Sequence, residues 1–410
     1  MKIAILIPEF PSQTHAFFWR EIQALRTLDT DVVLISTRRP SADSCRHDFA
    51  GPAAKETIYL FPPDWVADTL FLMMQPARLI MALHYVFNLE ESSWIQRLSA
   101  MLLLLPAARL SRLAREKRFS HLHVHSFANS AHVAALAKLL GGSNFSLALH
   151  GDLEVYGRDH ASKMKFASFL RCVTLPLGQQ LLDREILLRS KIHLLWMGVD
   201  TKHFLPKERP VRLITDQFRL LTVARLHVNK GHRFALQSIQ RLKIQGLDVR
   251  YTIVGDGPAN EEIARDVKSL GLADVVDMVG AKSEEDVLRL LQSSDALLLT
   301  SVGMGEAAPV AVMEAMSCAL PVVCSVIGGT RDMINHGQDG FLVPQEDVDA
   351  IAACIRQLIF DPELALRIGK AARSRAVQIF DSHALALTLT KLVISADDLV
   401  SVAGDSRTIG

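Results

Sequence analysis

The stretch LLTVARLHVNKGHRFAL, residues 220–236, decides the fold class of this chain. An apolar run leads into a polar, charged turn and then into an amphipathic segment, which predicts a strand, a turn and a helix in direct succession. The same order recurs through the second half, with strands predicted at residues 249–254, 275–279, 296–300 and 322–325 and helices at residues 232–245, 283–292 and 309–317. This alternation is typical of βαβ units and predicts an α/β, doubly wound parallel sheet.

The first half of the chain shows the same alternation. Strands are predicted at residues 3–7, 31–36, 121–125 and 146–150, with helices between them. Residues 198–213 contain two prolines and mixed charge, which is typical of a linker. We therefore predict two Rossmann-like domains, residues 1–205 and 206–380, that face each other across a cleft. Residues 381–410 are predicted to form a helix that packs back on the first domain and a frayed tail.

Composition excludes several classes of protein. The 410 residues contain 45 Lys and Arg against 44 Asp and Glu, so the net charge of +1 provides no overall field for binding nucleic acid. The hydrophobic share is 49%, yet 22% charged residues and 22 glycines exclude both disorder and a polytopic membrane protein. No C-x-x-C pair occurs, and MKIAILIP leads into Glu9 as a strand rather than as a signal peptide, so we expect a cytoplasmic protein.

Two cations follow the strand of the opening stretch. Arg225 comes just after the strand and Lys230 lies at the start of the following helix, four residues intervening. An arginine fork, a mobile ammonium group and the positive end of a helix together suit a diphosphate. The alternative is an ordinary solvated basic turn.

Two carboxylates bracket the start of a later helix. Glu306 precedes this helix and Glu314 lies eight residues further on, within it. One carboxylate can accept both hydroxyls of a ribose, while the N–H groups near Ala307, Ala308 and Val310 can bind phosphate or sugar oxygens. The alternative makes Glu306 a partner of the helix dipole and Glu314 an ordinary helical residue.

Histidines mark the first half. His150 ends the apolar strand SLALH and is predicted to project toward the cleft, where it can bond a substrate hydroxyl. His121, His123 and His125 alternate along another strand. A metal site there is disfavoured, because alternation along a strand puts the three ligands in a line and no Cys or carboxylate lies close in sequence. A buried strand end is enough to explain these histidines.

The turns VGDGP, residues 254–258, and Gly328-Gly329 also follow strands. Glycine allows positive φ and close approach of the backbone to a ligand. Each turn alone is explained equally well by helix–strand packing.

Together these turns resemble the retaining nucleotide-sugar glycosyltransferases of family 4, whose fold is GT-B, two facing Rossmann-like domains. The family's R-x-x-x-x-K pair is similar to Arg225 and Lys230, its pair of glutamates eight residues apart is similar to Glu306 and Glu314, and its cleft histidine is similar to His150 in HGDL. The order and approximate spacing of the motifs also match. The resemblance spans about Met1 to Phe380.

Further segments extend this resemblance. LLWMGVDTKHF is similar to the family's interdomain segment, and LPVVCSVIGGTRDMINHGQDGFLVP is similar to its carboxyl-terminal block. VGDGP and VGAKSEEDV are similar to the nucleotide-side turns, which implies that Gly255, Val279 and Gly280 bind the nucleoside together with Glu314. PEFPSQTHAFFWREIQAL, HVHSFANSAHVAAL and FSLALHGDLEVY resemble a subgroup associated with exopolysaccharide and lipopolysaccharide synthesis, including colanic-acid-type transferases.

The chain departs from the family pattern at three points. Ala307 stands where glycine is usual after the first motif glutamate, and Ala319 replaces a glycine before LPVV. Residues 11–15 replace the basic Gly-Gly loop, which makes Ser12, Thr14 and His15 the candidate loop near the phosphates.

The resemblance implies transfer of a sugar from a nucleoside diphosphate donor, with its anomeric configuration retained, to a glycan or lipid-linked acceptor. The first domain would bind the acceptor and the second the donor. Arg225, Lys230 and the N–H groups of Ala307, Ala308 and Val310 would bind the diphosphate and stabilise its charge as it leaves. Glu306 would orient the sugar, Glu314 would bind ribose, and His150 would position the sugar or the acceptor. No cofactor and no obligatory metal are expected.

A basic amphipathic helix is predicted after an apolar region that begins at Trp65. Its cations form a candidate patch for the anionic inner face of the cytoplasmic membrane: Arg109, Arg112, Arg115, Lys117 and Arg118. The alternative is a solvated face over a core helix.

Two further functions fit parts of these patterns. One is a nucleotide-sugar epimerase or phosphorylase of the same fold, and the other is a noncatalytic nucleotide-sugar-binding protein. The Arg225, Lys230, Glu306 and Glu314 set favours a transferase, because all its charged members are present.

Overall fold

The computed structural model describes residues 1–41, 45, 47–183, 189–208, 212–304 and 306–405, with only the backbone described for residues 397–405. The chain divides into two compact units. Unit 1 comprises Met1–Cys45, Phe49–Trp196 and His383–Gly410, and unit 2 comprises Arg46–Asp48 and Met197–Ser382. Unit 2 is thus inserted into the chain of unit 1.

The described part of unit 1 contains a parallel sheet of seven strands in the order β3-β2-β1-β4-β5-β6-β7. Its strands are β1 Lys2–Glu9, β2 Asp31–Arg38, β3 Ile58–Tyr59, β4 His121–Val124, β5 Asn144–Leu149, β6 Leu170–Cys172 and β7 Ile192–Leu194. Its helices up to residue 183 are α1 Ala16–Arg26, α2 Ala50–Glu56, α3 Trp65–Met73, α4 Pro76–Phe87, α5 Trp94–Met101, α6 Leu104–Lys117, α7 Asn129–Leu139, α8 His160–Met164 and α9 Leu175–Asp183.

The central strand β1 explains why this sheet forms. Its run IAILI is buried, as expected for a parallel strand covered by helices on both faces. Ile3 pairs with Val32 of β2 on one side and with His121 of β4 on the other.

The core beside β1 also includes the end of the chain. Ile3 and Ile5 share a buried cluster with Ala386, Leu389 and Val393, which lie in the last helix of the chain. The first and last described helices of unit 1 therefore contribute to one core.

Unit 2 contains, within the described residues, a parallel sheet of six strands in the order β10-β9-β8-β11-β12-β13. Its strands are β8 Phe218–Val223, β9 Val249–Val254, β10 Val276–Met278, β11 Ala296–Leu299, β12 Val322–Ser325 and β13 Phe341–Val343. The helices from residue 232 onward are α10 His232–Ile244, α11 Asn260–Ser269, α12 Glu284–Ser293, α13 Val310–Ser317, α14 Thr330–Met333, α15 Val348–Phe360, α16 Pro362–Ile379 and α17 Ser382–Asp405.

The two doubly wound parallel sheets confirm the predicted fold class. The helix predicted from residue 283 begins as expected, because the Ser283 side chain accepts a hydrogen bond from the N–H of Asp286. The strand predicted at residues 275–279 is shorter, Val276–Met278, and Gly280 after it has a positive φ of 72°.

Much of the predicted linker packs within unit 2. Phe204 is fully buried, and its carbonyl oxygen accepts hydrogen bonds from Ser317 Oγ at 2.8 Å and Arg373 Nη1 at 3.2 Å. Arg373 Nη2 also donates to the carbonyl of Thr201 at 2.8 Å. Mixed charge and prolines are typical of a linker, but the buried Phe204 side chain and these hydrogen bonds fix this part of the segment in unit 2.

Helices α3 and α4 are two consecutive apolar helices of unit 1. Together they pass a length and composition test for a membrane span, although they bend by 102° at their junction. No single helix among the described residues is long and apolar enough to cross a membrane.

Candidate active site

An ion pair joins two of the predicted site residues in unit 2. Lys230 Nζ contacts Glu306 Oε2, and the hydroxyl of Ser301 donates to the same oxygen at 3.2 Å. Lys230 ends a short 3₁₀ turn after β8, whereas Glu306 follows β11, the neighbouring strand. The carboxyl ends of adjacent parallel strands meet at one sheet edge, so the fold brings together side chains far apart in sequence.

The backbone around Lys230 is tightly constrained. Gly231 has a φ of 61°, and a Cβ at this position would collide with the carbonyl oxygen of Thr300. The Thr300 hydroxyl donates to the carbonyl of Gly231 at 2.9 Å. Only glycine fits this turn, which fixes the start of α10 against the end of β11.

Arg225 lies at the same sheet edge with a different environment. Its side chain is exposed, whereas that of Lys230 is partly buried. The neighbouring residue Ala224 packs against Gly255, whose φ of 147° and close backbone approach exclude a Cβ. The turn that holds Arg225 and the VGDGP turn are therefore in direct contact.

The remaining nucleoside candidates lie at the ends of β9 and β10. The Gly255 N–H donates to the carbonyl of Gly280 at 3.0 Å, and the Val279 N–H donates to the carbonyl of Ile253 at 3.0 Å. These backbones form one platform beside Ala224. Glu314 lies on α13 and is buried.

A glycine pair supports the segment that precedes α13. Gly328 has a φ of 50°, and a Cβ there would collide with the carbonyl oxygen of Glu306. The Gly329 N–H donates to the carbonyl of Ala307 at 2.7 Å. Ala307 and Ala308 are buried, and Val310 is the first residue of α13. Sequence reasoning identified a permissive turn but not its role as the floor under Glu306.

In unit 1, His150 follows β5 directly and is paired with another histidine. Its Nε2 lies 3.0 Å from Nδ1 of His125. The Phe17 and Phe18 rings lie 5.7 and 5.3 Å from the His150 ring, centroid to centroid. Burial lowers the pKa of His150 well below its usual range, so the imidazole is neutral near pH 7.

Sequence reasoning missed Glu21 and Arg171 behind this pair. Glu21 Oε1 lies 3.1 Å from His125 Nε2, and its other oxygen contacts the Arg171 guanidinium. Burial alone raises the pKa of the Glu21 carboxyl, but Arg171 and His125 lower it, and the net pKa lies well below the usual range. The available signal was the presence of charged residues in two otherwise apolar segments, FFWREIQAL and FLRCVTL.

The alternating histidines do not act as one line of ligands. His121 Nε2 and His123 Nδ1 each lie 2.8 Å from Ser146 Oγ. A different set, Glu21, His123 and His125, places one ligand atom from each residue within 4.8 Å of the others. The sequence argument considered only residues close in sequence, whereas α1 brings the Glu21 carboxylate close to His123 and His125 in space.

The candidate near-phosphate loop precedes α1. The His15 N–H donates to the carbonyl of Ser12 at 3.0 Å, and burial lowers the pKa of His15 to about 4. Thr14 is exposed and Ser12 is partly exposed. Phosphate contact by this loop stays a prediction.

The candidate membrane patch on α6 is largely engaged inside unit 1. Arg109 Nη1 donates to the carbonyl of Pro62 at 2.6 Å. Arg112 forms a 2.8 Å ion pair with the buried carboxylate of Asp68. Arg115 donates to Gln75 at 3.1 Å and lies 5.0 Å from the ring centroid of Phe71. These three arginines attach α6 to neighbouring segments, whereas Lys117 and Arg118 are exposed at its end.

About half of this chain is similar in sequence to known bacterial glycosyltransferases. Residues 206–375 match the family model described as "Glycosyl transferases group 1". The chain is 36% identical over 212 residues to the Escherichia coli K12 protein WcaL, named for colanic acid biosynthesis, covering 50% of this chain and 51% of that one. It is 34% identical over 198 residues to the amylovoran biosynthesis glycosyltransferase AmsK of Erwinia amylovora, covering 47% and 48%.

Solved structures match over a longer span. The Anabaena protein Alr3699/HepE, determined in complex with UDP, superposes with a TM-score of 0.74 at 17% identity, covering 96% of this chain and 100% of that one. Such a match shows a shared fold, which is the predicted GT-B class. The chain aligns with only about half the length of the curated relatives WcaL and AmsK. Residues 206–375 are therefore similar to the glycosyl transferases group 1 family.

Proposed function

We propose that this chain is a retaining glycosyltransferase that moves a sugar from a nucleoside diphosphate sugar to a glycan or lipid-linked acceptor in bacterial exopolysaccharide or lipopolysaccharide synthesis. The ion pair between Lys230 and Glu306, at the sheet edge that also holds Arg225, carries this proposal. It lies within the matched glycosyltransferase domain. The similarity to proteins named for colanic acid and amylovoran biosynthesis supports the pathway.

In this proposal, the leaving diphosphate is stabilised by fixed positive charge. Arg225 and Lys230 bind its oxygens, and the N–H groups around Ala307, Ala308 and Val310 add further donors. Positioned cations of this kind stabilise the charge that develops as the bond to the sugar breaks. They take the role of a metal ion, so we expect activity to persist in EDTA.

The remaining residues would orient the donor and acceptor. Glu314 binds the ribose hydroxyls, and the backbone platform of Gly255, Val279 and Gly280 binds another part of the nucleoside. Glu306 binds sugar hydroxyls, and its charge also holds Lys230 in place. Attack on the face that the diphosphate leaves, with a phosphate oxygen accepting the acceptor's proton, retains the anomeric configuration. His150, neutral through burial, bonds a hydroxyl of the sugar or the acceptor.

A thermal-shift panel of UDP-, GDP- and ADP-sugars, followed by donor hydrolysis assays, tests this function. UDP-sugars come first, because solved structures of the related fold contain UDP and UDP-glucose. One donor should raise the melting temperature in proportion to its occupancy and should be hydrolysed. Neither stabilisation nor hydrolysis with any donor in the panel would refute the donor class. Donor binding without turnover would favour the noncatalytic alternative.

We further propose that unit 1 contacts the inner face of the cytoplasmic membrane through α3, α4 and α5, which carry exposed apolar side chains. Each member of this apolar face is between 61% and 80% exposed: Trp65, Val66, Met73, Met74, Ile80, Trp94, Ile95 and Leu102. Tryptophan favours the membrane–water interface, and the exposed cations Lys117 and Arg118 suit anionic headgroups. The predicted basic helix thus contributes its end, and the preceding helices contribute the apolar area.

A further inference from the structure

We propose that Glu21 and His125 are positioning residues that fix the tautomer of His150, so that its Nδ1 is the atom that accepts a hydrogen bond from substrate. The inference rests on the proposed function for the role of His150, but the relay itself is a property of unit 1. This relay consists of four side chains, each in contact with the next: Arg171, Glu21, His125 and His150.

The proton positions follow from the chemistry of the end group. An ionised carboxylate only accepts hydrogen bonds, so His125 Nε2, 3.1 Å from Glu21 Oε1, must carry its proton. Both atoms are buried, and no described residue gives either of them a hydrogen bond of good geometry, so the 3.1 Å ion-pair contact is what joins them. A neutral His125 then presents Nδ1 as an acceptor, so His150 Nε2, at 3.0 Å, must be the donor. This leaves His150 Nδ1 without a proton.

The free end of the relay is available for a ligand. His150 Nδ1 is buried and has no hydrogen-bond partner among the described residues. A buried acceptor without a partner is costly unless a ligand donates to it. A hydroxyl group has the donor that this atom lacks.

Arg171 fixes the other end of the relay. Its side chain is fully buried, with Nη1 against Glu21, and its Nε donates to the carbonyl of Leu195 at 2.9 Å. Nη2 contacts the carbonyl oxygen of Trp196. Both oxygens of Glu21 are thereby assigned, one to the guanidinium and one to His125.

Aromatic rings hold the two imidazoles in place. The Phe18 ring lies 4.4 Å from the His125 ring and 5.3 Å from the His150 ring, centroid to centroid. Phe17, Phe18 and Glu21 all come from α1, at spacings of three and four residues that share one helix face. One helix therefore supplies both the charge and the walls of the relay.

A metal ion is the competing use of these residues. Glu21, His123 and His125 are close enough to share one. The Arg171 guanidinium, however, already contacts the Glu21 carboxylate, and a fixed cation there opposes a divalent ion. The contacts therefore favour the relay.

The Glu21→Gln variant makes a sharp prediction. Gln has one oxygen, which Arg171 requires, so its amide NH₂ should face His125 Nε2 and turn that atom into an acceptor. His125 Nδ1 then donates to His150 Nε2, and the proton of His150 moves to Nδ1. The variant should invert the relay with little change in side-chain volume.

Nitrogen NMR of the full chain labelled with [¹⁵N]histidine measures this directly. In the wild type, His150 should be protonated at Nε2, and in Glu21→Gln it should be protonated at Nδ1. The control is Glu56→Gln, which removes another carboxylate paired with an arginine of unit 1, Arg26 at 2.8 Å, and should leave His150 unchanged. An unchanged His150 tautomer in folded Glu21→Gln would overturn the relay, as would stoichiometric binding of zinc from ZnCl₂ that depends on Glu21 and His123.

Kinetics separate this inference from the proposed function. With an active donor, Glu21→Gln should lower kcat by about 10²-fold while the donor KM changes by less than about threefold. A wild type that transfers no sugar would refute the function but not the NMR result. If Glu21→Gln does not fold, His125→Phe keeps a ring and removes both nitrogens. His150 should then populate both tautomers, and a single Nε2-protonated form would refute the relay.

Discussion

Lys230 and Glu306 form an ion pair, although they lie 76 positions apart in sequence. A donor diphosphate must therefore share or displace Glu306 before Lys230 can act on it. The pair is partly buried, with side-chain exposures of 23% and 14%, so solvent screens it less than a surface pair. The charge of Glu306 thus affects how strongly Lys230 can bind a diphosphate.

Replacing Lys230 by alanine should lower kcat by more than about tenfold, because the leaving diphosphate loses a fixed cation. Steady-state kinetics with the donor identified by thermal shift measures this. Lys243→Ala is the matched control, since it removes a lysine of the same unit that pairs with Asp274 at 2.6 Å. Near-normal turnover of Lys230→Ala would refute its assignment.

Glu306→Gln should have opposite effects on binding and turnover. Lys230 loses its counter-ion, so the free nucleoside diphosphate should bind more tightly, by about three- to tenfold in Kd. kcat should nevertheless fall, because the sugar loses its orienting carboxylate. Isothermal titration with UDP, or with the diphosphate of the active donor, measures the first effect. Weaker binding would show that Glu306 does not compete for Lys230.

Gly328→Ala should weaken donor binding, because the new Cβ would displace the carbonyl of Glu306 and the segment before α13. Gly337→Ala separates this effect from backbone strain. Gly337 also has a positive φ, 75°, but nothing lies within 4 Å of its Cβ position. The donor KM should rise for Gly328→Ala alone. An equal rise in donor KM in both variants would contradict the proposal that Gly328 supports the segment around Glu306.

Buried histidines should make the fold sensitive to acid. Burial chiefly, with Lys163 nearby, lowers the pKa of His132 to about 3, from 6.5 in an unfolded chain. Between these values the unfolded state binds the extra proton, so stability is complete above pH 6.5 and falls as the pH drops.

Between pH 6.5 and 5, His132 can lower the free energy of unfolding by at most about 2 kcal/mol. Urea unfolding at pH 7.5 and 5.0 should show a smaller loss for His132→Gln than for the wild type. The exposed His336 supplies the control substitution, His336→Gln. Identical acid sensitivity of the His132 variant and the wild type would contradict this prediction.

Membrane contact should depend on the apolar face of α3, α4 and α5. A double variant, Ile80→Ser with Ile95→Ser, should reduce co-sedimentation with anionic liposomes at low salt by severalfold, because both side chains lose their favourable transfer into lipid. Ile244→Ser removes an isoleucine of unit 2 that is 78% exposed, and should have no effect. Absence of wild-type co-sedimentation would refute the membrane proposal.

Local patterns were sufficient for the fold class and for locating the turns that carry Lys230 and Glu306. The strands of unit 2 are mostly apolar, with charged residues only at Arg219, Arg250 and Asp277, and Lys230 and Glu306 follow β8 and β11 in sequence. Knowing that ligands bind at the carboxyl ends of parallel strands was then enough to expect Lys230 and Glu306 at one edge.

Long-range partners were not predictable in this way. Glu21 and Arg171 belong to different βα units, and Arg112 meets Asp68 across two helices, so no spacing rule connects them. The sequence did not reveal that Arg109, Arg112 and Arg115 contact other segments of unit 1, because a helical pattern identifies a polar face but not its partners. Phe204 was similarly assigned to a linker, since its burial depends on residues more than a hundred positions away.

The insertion of unit 2 between Trp196 and His383 has a consequence for synthesis. The core strand β1 leaves the ribosome long before Ala386, Leu389 and Val393, which share its buried cluster. Unit 2 is almost continuous in the chain and has its own core, so it can fold while unit 1 still exposes an uncovered apolar face. We expect the nascent chain to need protection from aggregation until α17 is made, and truncation within α17 to destabilise unit 1, whose strands are translated before those of unit 2.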